Sequence, residues 1–342
     1  MSVLRLATAT VGVSGVYVQA CGAVVGPKEG EGPLGQEFDR VWPDEGKGYS
    51  SFEKAEQGLL QEACDTALQK AAMSWDALDV VLGGDLLDQT VTTNFVARTH
   101  ERPLLGMFAA CATFTEALGL AAILVGSGAA ATALASASSH HLTAERQFRF
   151  PLELGYQRPP TSAWTSTAAG AVVLSREWRA IQVQAVTFGR VVDIGGKDPN
   201  DMGSAMAPAA FDTIERHFKA TGLKPADYTE IVTGDLGHFG IDMLKTYASD
   251  KGVQFGDELN DCGRWLYDAQ NQDTHNGGSG PGCSASVFAG PLTRRLAAIP
   301  HGRMLLVATG ALFSPTTYQQ GETIPCIAHA VQIASTGGDS AP

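Results

Sequence analysis

Cys111 is the residue on which chemistry could rest. It lies in GMFAACATFTEAL (Gly106–Leu118), where a short apolar run (Leu104–Phe108) turns into a helix of small residues. A thiol at a helix N-terminus meets unsatisfied N–H groups and the positive end of the helix dipole, which favour negative charge. Two chemistries follow from that placement: a nucleophile, or the floor of an anion pocket.

A second occurrence of the surrounding pattern bears on the choice. DALDVVLGGDLL (Asp76–Leu87) recurs as ADYTEIVTGDLG (Ala226–Gly237), with Gly84-Asp85-Leu86 aligned on Gly234-Asp235-Leu236. Further along, Cys111-Ala112 corresponds to Cys283-Ser284, and ATALASAS (Ala131–Ser138) to MLLVATGA (Met304–Ala311). The register slips once, which one insertion around Lys245–His275 explains. Three matches in one order predict a duplicated unit the size of a domain. The halves are 1–175, carrying an inserted segment at 139–165, and 176–334, followed by a flexible tail at 335–342.

Composition bounds the function. The 342 residues are 44% hydrophobic and 18% charged, as in an ordinary folded protein. The net charge of −12 excludes a basic stripe for nucleic acid and makes passive binding to anionic lipid unfavourable. Cys21, Cys64, Cys111, Cys262, Cys283 and Cys326 show no CxxC spacing, so neither a zinc site nor a disulfide framework is signalled. The N-terminal stretch does not read as a signal peptide, and neither end carries a lipidation motif. The uncharged stretch Ala117–Ser139 is long enough for a membrane span, but Gly119, Gly126, Ser127 and Gly128 break it. It is read as a buried helix (Thr113–Val125), a turn and a buried strand (Ala131–Ser136).

The elements that must position these residues alternate. Ser50-x-x-Glu53 is a capping box opening a helix to about Ala72, with Leu60, Ala63, Ala67 and Ala71 on one stripe. Pro208 is placed in the first turn of the equivalent later helix, with Ile214 and Phe218 inward and Gly222 as its stop. Each helix feeds a strand ending in Gly-Asp, which predicts two mixed sheets sandwiched by helices. Asp85 and Asp235 serve either as caps of the following helices or as ligands. The segment Ser139–Thr165, rich in Arg, Pro and aromatic residues, is expected to form a lid or a subunit contact.

Two halves, each with a cysteine at the tip of a central helix, resemble the thiolase superfamily. That resemblance implies an α/β fold in which two duplicated halves form a layered α-β-α-β-α arrangement. In that superfamily the first-half cysteine attacks an acyl thioester, and bases reach it from the second half. Here VTGDLG carries Gly234 and Asp235 where the condensing enzymes' His-x-x-Asn would stand. HNGGSGPGCSAS (His275–Ser286) resembles the Asn-x-Gly-Gly stretch but lacks Gly-His-Pro, and His238 and His275 are out of register. Condensation needs a proton acceptor and an oxyanion hole, each supplying on the order of a hundredfold or more. The departures therefore argue for the fold without the chemistry.

A closer resemblance fits those departures. GPKEGEGPLGQEFD, GDLLDQTVTTNFVAR, SSHHLTAERQFRFP, KDPNDMGSAMAPAAFDTI, GGSGPGCSA and VATGALFSPTTYQQGETIPCIAHAV resemble the stage V sporulation protein AD family, from about Gly26 to Val331. What this implies is non-catalytic binding of dipicolinic acid (pyridine-2,6-dicarboxylate), with calcium entering only as part of the ligand and no resident cofactor. It also implies work with membrane-embedded proteins of the same sporulation group, peripherally at the forespore or spore inner membrane. A homodimer is expected from the fold's habits. An acyltransferase using Cys111 and a scaffold with a vestigial pocket are the alternatives.

A flat aromatic dianion needs apolar walls and a few donors. The helix behind Cys111 supplies N–H groups. Ser136, Ser138 and Ser139 supply hydroxyls, and Gly277, Gly278, Ser279 and Gly280 let amides approach a carboxylate. Arg146 and Arg149 could grip carboxylates, or instead pair with Glu145 and Glu153 or bridge a dimer. Asp235 would share a bound cation or cap a helix. Cys283 is either structural or part of the pocket. His140 and His238 complete the candidate ligand-binding set; His140-His141 without a third ligand assigns no metal.

Overall fold

The computed structural model describes residues 2–149 and 155–337. A hairpin, β1 (Val3–Ala7) and β2 (Thr10–Val13), precedes β3 (Tyr17–Val25), beside which runs the short β4 (Arg40–Val41). Then come β5 (Val80–Gly84), β6 (Leu104–Gly106), β7 (Thr132–Ser139), β8 (Trp164–Thr165) and β9 (Ala168–Ser175). The later part carries β10 (Ile181–Phe188), β11 (Glu230–Thr233), β12 (Leu259–Asp261), β13 (Gly278–Ser279), β14 (Arg303–Ala311) and β15 (Cys326–Ser335).

The strand orders β3-β9-β7-β5-β6 and β10-β15-β14-β11-β12 follow the same path. In each, two antiparallel pairings lead into two parallel ones. The two sheets join edgewise, through Tyr17 opposite Gln182 and through β2 on β10. Parallel neighbours need helical crossovers, which is why each Gly-Asp strand is preceded and followed by a helix.

The helices are α1 (Pro27–Gly30), α2 (Phe52–Lys70), α3 (Val91–His100), α4 (Thr113–Ser127), α5 (His141–Gln147) and α6 (Met202–Thr221). They continue as α7 (Gly237–Asp250), α8 (Cys262–Leu266), α9 (Pro281–Val287), α10 (Thr293–Ala298) and α11 (Pro315–Gln319). Helices α4 and α9 form a middle layer between the sheets, with Phe114 and Phe288 meeting at 5.7 Å between ring centroids. Helix α2 covers one outer face and α6 with α7 the other. That is the five-layer arrangement the thiolase resemblance implies.

The apolar stretch after Cys111 is mostly enclosed. Phe114, Ala117, Leu118, Ala121, Ala122 and Val125 are fully buried, while Leu120, Ile123 and Leu124 are half-buried, as in the core helix of a folded domain. It runs two residues past the expected Val125, to Ser127, with Gly128 at φ +82 taking the left-handed position that closes it. Strand β7 runs on to Ser139, past the predicted Ser136, because antiparallel β9 pairs it through Ala168.

Two helix starts differ from the sequence reading. The cap of α2 is Ser51, whose Oγ accepts from Lys54 N at 3.3 Å, while Ser50 accepts from the Lys54 ammonium. Helix α6 begins at Met202, capped by Asp201, whose Oδ1 accepts from Ser204 N at 3.3 Å. Pro208 therefore sits inside it. The side-chain cap at Asp201 nucleates the helix two turns earlier than proline's own preference would. Ile214 is buried as predicted, and Gly222 at φ +75 ends the helix. Ser335 closes β15 rather than opening a tail; residues 338–342 lie outside the described residues, as do 150–154 of the inserted segment.

Candidate functional site

Cys111 is carried on a tight turn. Ala110 adopts φ +49, Ala112 and Thr113 close short backbone bonds onto Ala109 and Ala110, and α4 starts at Thr113. From the other half, Gly310 on β14 approaches so closely that a Cβ there would lie 2.1 Å from Ala109 O. Only glycine permits that contact, which presses the cysteine turn against the second sheet.

Ser279 on β13 is the hub that Cys111 meets. Its Oγ lies 3.8 Å from the Cys111 sulfur, donates to Asp235 Oδ2 at 3.2 Å, and accepts from Arg149 Nη2 at 3.3 Å. Asp235, buried just after β11, also accepts from Gly280 N at 3.2 Å and from Thr309 Oγ1 at 2.8 Å. Strand β13 is held by β8, which places Trp164 and Thr165 alongside Gly278 and Ser279.

The electrostatics reverse one sequence expectation. Burial, and then the Asp235 carboxyl beside it, raise the Cys111 thiol well above its ordinary value, although Arg149 and Ser279 pull the other way. The helix terminus does not prevail, because removing a thiolate from water costs more than a dipole returns. Burial likewise lifts Asp235 from 3.8 to about 6, against the hydrogen bonds from Cys111 and Thr309. The proton thus stays on sulfur. The groups acting on the thiol are a carboxyl, a guanidinium and a hydroxyl; none is an imidazole.

In front of Cys111 and Arg149 is a cavity of about 380 Å³. Its lining is mixed: Leu86, Phe108, Phe148, Met202, Phe313 and Pro315 are apolar, and Asp88, Gln147, Ser314 and Thr316 are polar. That volume falls within the roughly 300–1,000 Å³ of small-molecule sites. Arg149 supplies its cation, and Arg149 Nε finds no hydrogen-bond partner among the described residues. Asp235 and Ser279 stand behind this wall and hold it.

Of the sequence-predicted set, only Cys111 and Arg149 line the cavity. Ser136 contacts the Cys64 thiol. Ser138 donates to Glu56 Oε1 at 3.0 Å, and Ser139 to Ser166 O at 2.8 Å, so both hydroxyls serve the interior. His140 caps α5, accepting from Leu142 N at 3.2 Å, with its Nε2 on Glu45 O. Arg146 is exposed and pairs with Glu53 at 3.2 Å. His238 lies in the first turn of α7, where burial and Arg264 lower its pKa. Cys283 is buried in α9 with its sulfur 3.6 Å from Gly234 O, and Gly278 packs against it. His275 is tied to Pro159 O and Asp273.

The two Gly-Asp aspartates part company. Asp85 caps the first turn of α3 through Thr93 N at 2.9 Å, as one reading allowed. Asp235 caps nothing; the start of α7 is satisfied by Asp261, accepting from Leu236 N and Gly237 N, and by Asn276, accepting from Phe239 N. The aromatic and methionine walls were missed. Their signal was position: Leu86, Met202 and Phe313 lie within or beside the quoted strings but carry no polar chemistry. Among the described residues no group of three or more His, Cys, Asp or Glu is placed to hold a metal.

The paired five-strand sheets around two central helices, with a cysteine at the tip of the first, define a thiolase-like fold. Solved structures of similar fold include 3-oxoacyl-[acyl-carrier-protein] synthase III from Aquifex aeolicus VF5 (TM-score 0.57, 13% identity, covering 94% of this chain and 100% of that one). An OleA variant from Xanthomonas campestris gives a TM-score of 0.62 at 12% identity, covering 98% and 100%. The stage V sporulation protein AD family matches residues 8–334. Stage V sporulation protein AD of Bacillus subtilis (strain 168) is 46% identical over 325 residues, which is 95% of this chain and 96% of that protein. The chain belongs to the stage V sporulation protein AD family.

Proposed function

We propose that the chain binds dipicolinic acid in the Cys111 cavity without transforming it, as a peripheral component of a system that loads this acid into the developing spore. The observation that carries the reading is the pairing of one guanidinium, Arg149, with walls of Phe108, Phe148, Phe313 and Met202. A flat ring stacks between such walls while a carboxylate meets Arg149. Cys111, held protonated, is a poor nucleophile, and Asp235 is a far weaker base than the thiolate it would have to create. That favours binding over acyl transfer.

Asp235 behind the wall disfavours a dianion while ionised, so the free acid binds with Asp235 protonated and the calcium chelate with it charged. Residues 1–175 and 176–334 act as two halves enclosing the cavity. The described parts of the inserted segment, 139–149 and 155–165, cover its mouth or contact a second subunit of a homodimer. Attachment at the forespore or spore inner membrane runs through membrane-embedded proteins of the same group.

Calorimetric titration with dipicolinate, with and without calcium, tests the reading. Saturable heat that Arg149→Gln lowers by tenfold or more is expected. No heat at millimolar ligand in either condition overturns it, and a thioester adduct on Cys111 after incubation with acetyl- or malonyl-CoA would replace it with acyl transfer.

A further inference from the structure

A second, much smaller cavity of about 30 Å³ lies on the other side of the Phe148–Arg149 wall. Arg149, Arg158, Ser162, Asn200 and Met202 line it, together with Glu145. Arg149 and Met202 thus belong to both cavities. Each arginine brings one enclosed nitrogen that finds no hydrogen-bond partner among the described residues: Nε of Arg149 and Nη1 of Arg158. The rest of Arg158 is fixed, because Nη2 meets Asp273 O at 2.9 Å and Asp273 Oδ1 at 3.0 Å, and its guanidinium lies 5.0 Å from the Trp164 ring centroid.

Buried N–H groups of a guanidinium without an acceptor are costly, and an anion recovers more of that cost than a water does. The space admits one or two water-sized centres, which suits a single carboxylate or halide and excludes a ring. Glu145 lines the cleft and Asp273 already pairs with Arg158, so what the cleft lacks is acceptors for Arg149 Nε and Arg158 Nη1, not counter-charge.

We propose that the cleft between Arg149 and Arg158 is an anion subsite that takes one small anionic group, with Arg149 shared between it and the main cavity. The carboxylate comes either from a dicarboxylate whose other end occupies the Cys111 cavity or from a separate small anion. The first source rests on the dipicolinate reading; the subsite itself does not.

Bromide is the probe. Crystals of the full chain soaked in sodium bromide are expected to show an anomalous peak against Arg149 and Arg158, lost in Arg158→Gln. No peak, or a peak that persists in Arg158→Gln, overturns the subsite whatever dipicolinate does. With the peak present, calorimetry separates the sources. Selective weakening of dipicolinate by about tenfold in Arg158→Gln, with pyridine-2-carboxylate unchanged, assigns the cleft to the second carboxylate. Equal effects on both assign it to a separate anion. A bromide peak without any dipicolinate binding leaves the subsite standing and removes only the functional reading above.

Discussion

Replacing Asp235 with asparagine should make the protein more stable at pH 8 and leave it unimproved near pH 4. Folding raises this carboxyl from 3.8 to about 6 because burial disfavours its charge. For an acid shifted upward, the folded state holds the proton longer than the unfolded state. Its penalty is therefore absent below about 3.8, grows between there and 6, and is fully present above. At about 1.4 kcal/mol per tenfold change in proton affinity, the ceiling on the gain is about 3 kcal/mol. Asparagine can turn its oxygen toward Ser279 and Gly280 N, which Oδ2 now serves, and its amide toward the Thr309 hydroxyl. Imperfect replacement of those bonds costs about 1 kcal/mol. A net gain of about 1–2 kcal/mol at pH 8 remains. Urea unfolding of both proteins at pH 4, 5, 6, 7 and 8 measures it. A difference that stays flat with pH would refute the buried-charge account of this site.

Other outcomes follow from the same physics. Iodoacetamide should label Cys111 at least tenfold more slowly than an exposed thiol at pH 8, and Asp235→Asn should accelerate it; fast labelling that levels off below pH 8 would contradict the protonated sulfur. Without calcium, dipicolinate should bind more tightly as pH falls from 7.5 to 5.5, since Asp235 takes up a proton on binding. With calcium the trend should weaken or invert, as calorimetry at both ends will show. Glu56, lifted from 4.5 to about 8 by burial and by Asp85, should make stability fall as pH rises from about 4.5 to 8, and Glu56→Gln should flatten that fall in thermal unfolding. Gly310→Ala, whose methyl would strike Ala109 O, should cost about 1–3 kcal/mol in denaturant unfolding and disturb the Cys111 turn.

The duplication was legible because strand, Gly-Asp and helix recur in order, and the strand path repeats with them. Helix starts were less legible: Ser50 and Ser51 are chemically equivalent caps, and nothing in the sequence says that Ser51 is the one whose hydroxyl meets Lys54 N. The serines after β7 misled for a different reason. A hydroxyl at the end of a strand beside a cysteine helix can turn either way, and Ser138 and Ser139 turn to Glu56 and Ser166. Arg146 and Arg149, three residues apart, looked interchangeable; one reaches Glu53 at the surface and the other, beyond the end of α5, Ser279 inside. Asp235 was recognised as standing where a histidine would, yet its contact with Ser279 depends on β13, a two-residue strand with no sequence signature. The cavity walls carry no period and no charge, so sequence patterns pass over them.

The pairing of β13 with β8 gives the protein a built-in optical gauge. Ser279 and Trp164 sit on neighbouring two-residue strands, and the Trp164 indole is stacked on His141 at 3.8 Å with Lys28 4.3 Å above its ring. A molecule that draws Arg149 or Ser279 forward will alter the quenching of that indole. Fluorescence that changes on filling, and is silenced by Trp164→Phe, would let occupancy be read without any label.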